Sequence, residues 1–425
     1  TDCGSNRSGC CGNSSEWKTS TRRAFEGKIR EKAMELREKL EKSINTFKIH
    51  LSSSIIRSHR HLDSLFSTTY GIFYEKHTKI FADLFSDLNI ESLHEEVQIT
   101  DVVTPFYRRL FRVVFTILNP MVNIGVEEAE CMGRSMDELN PFGDIPSRSI
   151  IHLERTLQGW RQLILSMQTA HEALARFTNA SLSSQCVDAL TKMSICPSCS
   201  SDTPLMVCRP VCEATLSSCM NEWIEMDGQW NTLIGWLGRL TLRMKDAYSL
   251  SSTLDALPSL ISEAIMIFQE KREEISNKVS SKCIMNEDRL RRFLRGKRSI
   301  EDNNKRRMNI RQITVETETH QRATARMIEQ LYEKLGEMRG FFSNLPKDIC
   351  ENEKISADNG DKCWNNEGIE LMKKESIEEE YSGRFVHEGV RFGLLSFRIA
   401  TFIYGRNYTG YTIEGSGNII DDEDY

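Results

Sequence analysis

Apolar positions recur along the first third of the chain with a period that only a helix explains. Phe25, Ile29, Ala33, Leu36, Leu40, Ile44, Phe47, Leu51 and Ile55 follow one another in steps of four and three, which places them on one face of an α-helix. At about 1.5 Å per residue the stripe predicts a helix of roughly 50 Å. Between the stripe positions, in KIREKAMELREKLEK, acids and bases alternate on the wet face. A second run of the same kind, HLDSLFSTTYGIFYEKHTKIFADLFSDL, follows, with continuation or a bend expected at Gly71.

The same periodicity returns around 105–118, 148–179, 184–194, 211–245, 256–280 and 314–343, and the nine prolines fall mostly at the ends of these runs. Strand-like patterning is scarce. Its best instance is GRFVHEGVRFGLLSFRIATFIYG, residues 383–405, which reads either as a short strand pair or as a helix. The fold class expected is therefore mainly α: an elongated multi-helix core spanning 1–405, stabilised by disulfides, with a strand or two at most. A flexible acidic tail, 406–425, follows it.

Charge sharpens the picture at two places. The formal net charge is −6, yet residues 414–425 hold five acids and no base, so the remainder holds 56 acids against 55 bases. A near-neutral body argues against a general nucleic-acid binder. Within it, residues 289–311 (RLRRFLRGKRSIEDNNKRRMNIR) concentrate ten bases against two acids and read as an exposed loop, about 286–312. Arg295-Gly-Lys-Arg298 before Ser299 fits a proprotein-convertase site, which needs an extended segment offering cations to an acidic protease cleft. The plain alternatives are a basic surface loop that is never cut and a patch that attracts polyanions.

Thirteen cysteines, clustered near the start and between 186 and 219, suggest a secreted, disulfide-bonded protein. Cys196-x-x-Cys199 and Cys208-x-x-x-Cys212 admit three readings: a tight zinc cage, a thioredoxin-like dithiol, or structural disulfides. The dithiol would need a βαβ setting, and this neighbourhood reads as helical. The sequons at Asn6, Asn13, Asn179 and Asn407 agree with an extracellular location. No run of eighteen apolar residues suggests a membrane span, and no signal peptide opens the sequence, so Thr1 is expected to be a mature or trimmed terminus. No serine-hydrolase elbow, phosphate loop or metalloprotease motif occurs, and His59 and His61 stand two apart, off a common helix face. No enzyme and no cofactor are expected.

In the acidic tail one Ser-Gly pair, Ser416-Gly417, follows Glu414 and precedes Asp421, Asp422, Glu423 and Asp424. A small neighbour and a nearby acidic cluster suit a serine on which a glycosaminoglycan is begun. A solvated acidic tail is the plain reading.

Taken together, NRSGCCGNSSEW, AECMGRSMDELNPFGDIP, the long cysteine-rich stretch QCVDALTKMSICPSCSSDTPLMVCRPVCEATLSSCMNEWIEMDGQWNTLI, and LPKDICENEKISADNGDKCWN resemble the glypicans, from Cys3 to about Trp364. The resemblance implies an elongated helical core whose cysteine-rich region draws on 1–20, 185–235 and 345–365. It implies the pairs Cys3–Cys196, Cys11–Cys199, Cys131–Cys283, Cys186–Cys219, Cys208–Cys363 and Cys212–Cys350, with Cys10 left without a partner in this chain. It also implies heparan sulfate near the C-terminus, here at Ser416, and a place at the cell surface or shedding from it; the elongated, near-neutral body suggests a monomer. The outer membrane leaflet would be reached through a lipid anchor outside this sequence. Its partners would be secreted growth factors or morphogens and receptor ectodomains. The alternative is a core protein that engages receptors or guidance and adhesion partners directly, independently of the sugar. This sequence departs from the family's pattern in offering a single plausible glycanation site where several clustered Ser-Gly repeats are usual.

Overall fold

In the computed structural model the described residues are 14–89, 98–120, 124–179, 181–199, 205–283, 314–352, 355–357, 362–365 and 385–405. The expected stripe lies on one uninterrupted helix, α1 (Ser14–Tyr70, 57 residues). All of its positions from Phe25 to Ile55 are buried. The helix stops at Gly71, whose φ of 52° lies in the left-handed region that only glycine enters at little cost. The second run is accordingly broken into α2 (Ile72–Glu75) and α3 (Thr78–Asp87).

There follow α4 (Ile99–Leu118), α5 (Val126–Arg134), α6 (Met136–Leu139), α7 (Ile145–Leu174), a 3-10 turn (Phe177–Asn179), α8 (Ser184–Cys199), α9 (Arg209–Cys219), α10 (Asn221–Ile224) and α11 (Asp227–Arg243). Then come α12 (Leu250–Leu254), α13 (Leu257–Glu270), α14 (Arg272–Cys283), α15 (Thr314–Glu337), α16 (Phe341–Asn352) and α17 (Val386–Tyr404). Among the described residues there is no strand. Of the strand or two expected, only two single-residue parallel bridges exist, from Val207 to Ser356 and to Trp364. The stretch read as a strand pair or a helix, 383–405, supplies the helix α17. Pro105, Pro197 and Pro346 lie inside helices rather than at their ends.

The chain divides into two units. The first, from residues 1–44, 165–241 and 331–425, has an aromatic centre. Phe177 stacks on Phe385 at 4.7 Å and meets Phe342 at 4.9 Å, while Trp230 meets Phe392 at 5.4 Å. Trp230 is fully buried, and its indole N–H donates to the Met338 carbonyl at 2.7 Å, which satisfies the polar end of a large apolar side chain. The second unit, 45–164 and 242–330, is built on Phe66, Phe81, Phe106, Tyr107, Phe111, Phe142 and Phe268, whose rings meet in T-shaped or tilted pairs with centroids 5.1–6.2 Å apart. One stretch, Leu250–Glu270, is long and apolar enough to cross a bilayer. It is broken between α12 and α13, and Leu250, Leu254, Leu257, Ile261 and Phe268 are buried in this second core.

Candidate functional site

Helix α9 of the first unit is the most heavily cross-linked element among the described residues. Cys208, immediately before it, bonds Cys363. Cys212, one turn in and fully buried, bonds Cys350 of α16. Cys219, its last residue, bonds Cys186 of α8. Pro210 starts the helix at a position where the missing N–H costs nothing.

Backbone hydrogen bonds reinforce the sulfurs. The Cys208 N–H donates to the Trp364 carbonyl, the Trp364 N–H to the Met206 carbonyl and the Ala357 N–H to the Val207 carbonyl, each at 2.9 Å. Arg209 pairs with Glu351 of α16 at 3.2 Å. Two of these bridges span 155 and 138 residues, so each closes a long loop and restricts the unfolded chain by about 4–5 kcal/mol in the entropy model. In the second unit Cys131 of α5 bonds Cys283, the last residue of α14.

This arrangement answers the question left by the two cysteine pairs. Cys208 and Cys212 belong to separate disulfides and Cys196 is disulfide-bonded as well. None of the three offers a thiolate to zinc or to a redox substrate. The Cys196–Cys199 segment closes helix α8, with no strand before it.

Of the other residues singled out by sequence, Asn179 ends the 3-10 turn and is exposed. Cys3, Cys10, Cys11, Asn6, Asn13, Arg298, Ser299, Asn407 and Ser416 lie outside the described residues, as does the Cys199 side chain. The convertase motif falls between two described ends: Cys283, tied to Cys131, and the start of α15 at Thr314.

Two further polar arrangements were not legible as sites in the sequence. A shallow cleft of about 650 Å³ in the first unit is lined by α1, from Gly27 to Glu41, and by His171 of α7. Four glutamates and two arginines stand in it, and no serine, threonine or cysteine. Burial, and then the Arg37 charge, hold His171 below the ordinary imidazole range. In the second unit, the His50 ring stacks on His320 at 4.9 Å and on Trp160 at 5.8 Å. His50 Nε2 is 2.9 Å from the Thr324 hydroxyl, which itself donates to the His320 carbonyl. Burial and then Arg57 depress both imidazoles, that of His320 to about 4. Among the described residues no group of three His, Cys, Asp or Glu side chains is placed to hold a metal ion.

The sequence model of the Glypican family matches residues 3–383. This chain belongs to the glypican family. Glypican-1 of Xenopus tropicalis is 25% identical over 343 residues, which are 80% of this chain and 60% of that protein. Human Glypican-2 is 27% identical over 320 residues, 72% of this chain and 54% of that one. The chain thus spans less than two thirds of these curated relatives.

Solved glypican folds superpose on nearly all of it. The Drosophila Dally-Like Protein core domain has a TM-score of 0.67 at 23% identity, covering 92% of this chain and 98% of that one. The full-length glypican-1 core protein has a TM-score of 0.74 at 18% identity, covering 92% and 90%. A structure of Dally-like protein in complex with O-palmitoleoyl serine has a TM-score of 0.66 at 22% identity, covering 91% of this chain and 86% of that one. The mainly α, disulfide-stabilised fold expected from the sequence is that of these glypican cores.

Proposed function

We propose that this glypican is the core of an extracellular heparan sulfate proteoglycan, held at the outer leaflet by a lipid anchor, that gathers secreted growth factors or morphogens and presents them to receptors without catalysis. The observation that carries the reading is the family match across residues 3–383, set beside a tail in which Ser416-Gly417 stands among acids. On this reading Ser416 bears the sugar, Asn6, Asn13, Asn179 and Asn407 accept N-linked glycans, and the Arg298–Ser299 bond is open to a convertase. A sulfated chain at Ser416 would draw cationic ligands by charge, with an affinity that falls as salt rises.

A second reading has the helical core bind ligand directly. The O-palmitoleoyl serine held by Dally-like protein supports it, because there a small acylated ligand is bound by the protein. Ser416→Ala separates the two. Under the first reading salt-sensitive ligand capture from cell-conditioned medium is abolished; capture that survives the substitution unchanged places binding on the core.

A further inference from the structure

Where helix α1 stops, two apolar side chains are left outside the second core. Gly71, at φ 52° and ψ −129°, turns the chain out of the helix, and the next two residues, Ile72 and Phe73, are 59% and 56% exposed. Their surroundings are fixed. Tyr74 is buried, its hydroxyl donating to Asp63 and its ring meeting Phe66 at 5.6 Å and Phe81 at 5.2 Å. Phe66, Tyr70, Tyr74 and Phe81 all pack ring on ring, whereas Phe73 meets no other ring among the described residues. Helix α1 and the pair α12–α13 advance together, from Arg57 with Asp255 at 2.8 Å to Tyr70 with Ser262 at 3.0 Å. Met266, one turn past Ser262 and 45% exposed, therefore lies toward the same end.

Cations stand directly behind the pair. Lys76 follows Ile72 by four residues and Phe73 by three, and its N–H donates to the Ile72 carbonyl at 3.3 Å, so the three share one helical face. Lys79, in the first turn of α3, comes three residues later. Both lysines are exposed, and neither forms an ion pair among the described residues. Glu75 is the one acid between Gly71 and Lys79. Two or three apolar side chains are too few for a stable protein partner, whose interface takes about 800 Å² from each side. They suffice for the interfacial layer of a bilayer, where a few aromatic and aliphatic groups enter the acyl boundary and lysines reach back to the phosphates.

We propose that the Ile72–Phe73 tip of the second unit docks on the surface of a phospholipid bilayer, the two side chains entering the interface and Lys76 and Lys79 meeting lipid phosphates. The contact is weak by itself; in a chain already tethered to a membrane it forms at high effective concentration and holds the second unit against the lipid. It requires no sugar at Ser416.

Flotation of the full chain with vesicles of phosphatidylcholine and about 20% phosphatidylserine tests this, in about 0.1 M salt so that distant acids are screened. The parent is expected to float with the vesicles. Changing Ile72 and Phe73 together to Ser is expected to lower the bound fraction about tenfold. Changing Lys76 and Lys79 together to Gln, which leaves the apolar pair intact, is expected to do the same. Val126→Ser, at a residue 78% exposed in the same unit, is expected to float as the parent does. A parent that stays out of the vesicle fraction would overturn the proposal, as would tip variants that float like the parent. So would self-association that needs Phe73 and occurs without lipid, since a second copy would then be the occupant.

Discussion

At the residue scale, the pairings that hold this glypican together link positions far apart in sequence. Asp227, the first residue of α11, accepts from the Phe342 and Ser343 N–H groups at 3.1 and 3.4 Å and from the Ser343 hydroxyl at 2.9 Å. Its carboxylate caps the start of α16, where the first N–H groups lack partners and the helix dipole favours a negative charge. Asp227→Ala is expected to cost about 1–3 kcal/mol, because buried donors lose their acceptor; a denaturant midpoint unchanged from the parent would refute the assignment. No sequence pattern announces such a cap, since Asp227 and Ser343 stand 116 residues apart. The stripe from Phe25 to Ile55 was legible for the opposite reason: its signal is a local period, and every member is buried.

At the scale of elements, helical runs were readable where one face alone is apolar, although 211–245 divides into α9, α10 and α11 and 256–280 into α13 and α14. They blurred where two faces are. Residues 383–405 read as a strand pair or a helix because α17 is apolar on its buried and exposed sides alike, which dilutes the 3.6-residue period and leaves the β-branched and aromatic content to suggest a strand. The prolines misled for a related reason. Pro105, Pro197 and Pro346 remain in helices whose packing outweighs a lost hydrogen bond.

The stacked imidazoles of His50 and His320 fasten α15 to α1, and they give that contact a pH dependence. His320 is held near 4 when folded and near 6.5 when unfolded, so between those values the unfolded chain binds the extra proton. The stability they supply is fully present above about pH 6.5 and is lost as pH falls toward 4. The groups facing the pair are Arg57, whose charge also disfavours protonation, with its partner Asp255 at 2.8 Å, and the hydroxyls of Ser54 and Thr324. Going from about pH 7 to about pH 5 is expected to cost on the order of 1 kcal/mol after discounting for solvent screening. In His320→Asn that loss should shrink, and an identical pH profile in chemical denaturation for both proteins would contradict the reading.

On the scale of the whole molecule, the sulfur links decide what proteolysis can do. Cys208–Cys363 and Cys212–Cys350 both straddle Arg298, whereas Cys131–Cys283 lies wholly before it. A convertase cut after Arg298 should therefore yield two fragments on a reducing gel and one intact band without reductant. Two bands without reductant would refute these pairings. Four of the six pairs implied by the family resemblance are present as disulfides among the described residues, which a single sequence could not have paired by spacing alone. The glycan claim rests on chemistry rather than packing, and its direct measurement is heparan lyase digestion of the protein secreted by cells that make heparan sulfate, followed by gel sizing. The expected result is a broad, high-mass smear that collapses to a sharp core band, and a Ser416→Ala chain that runs as that core band untreated. A sharp band before digestion, unmoved by the lyase, would contradict it.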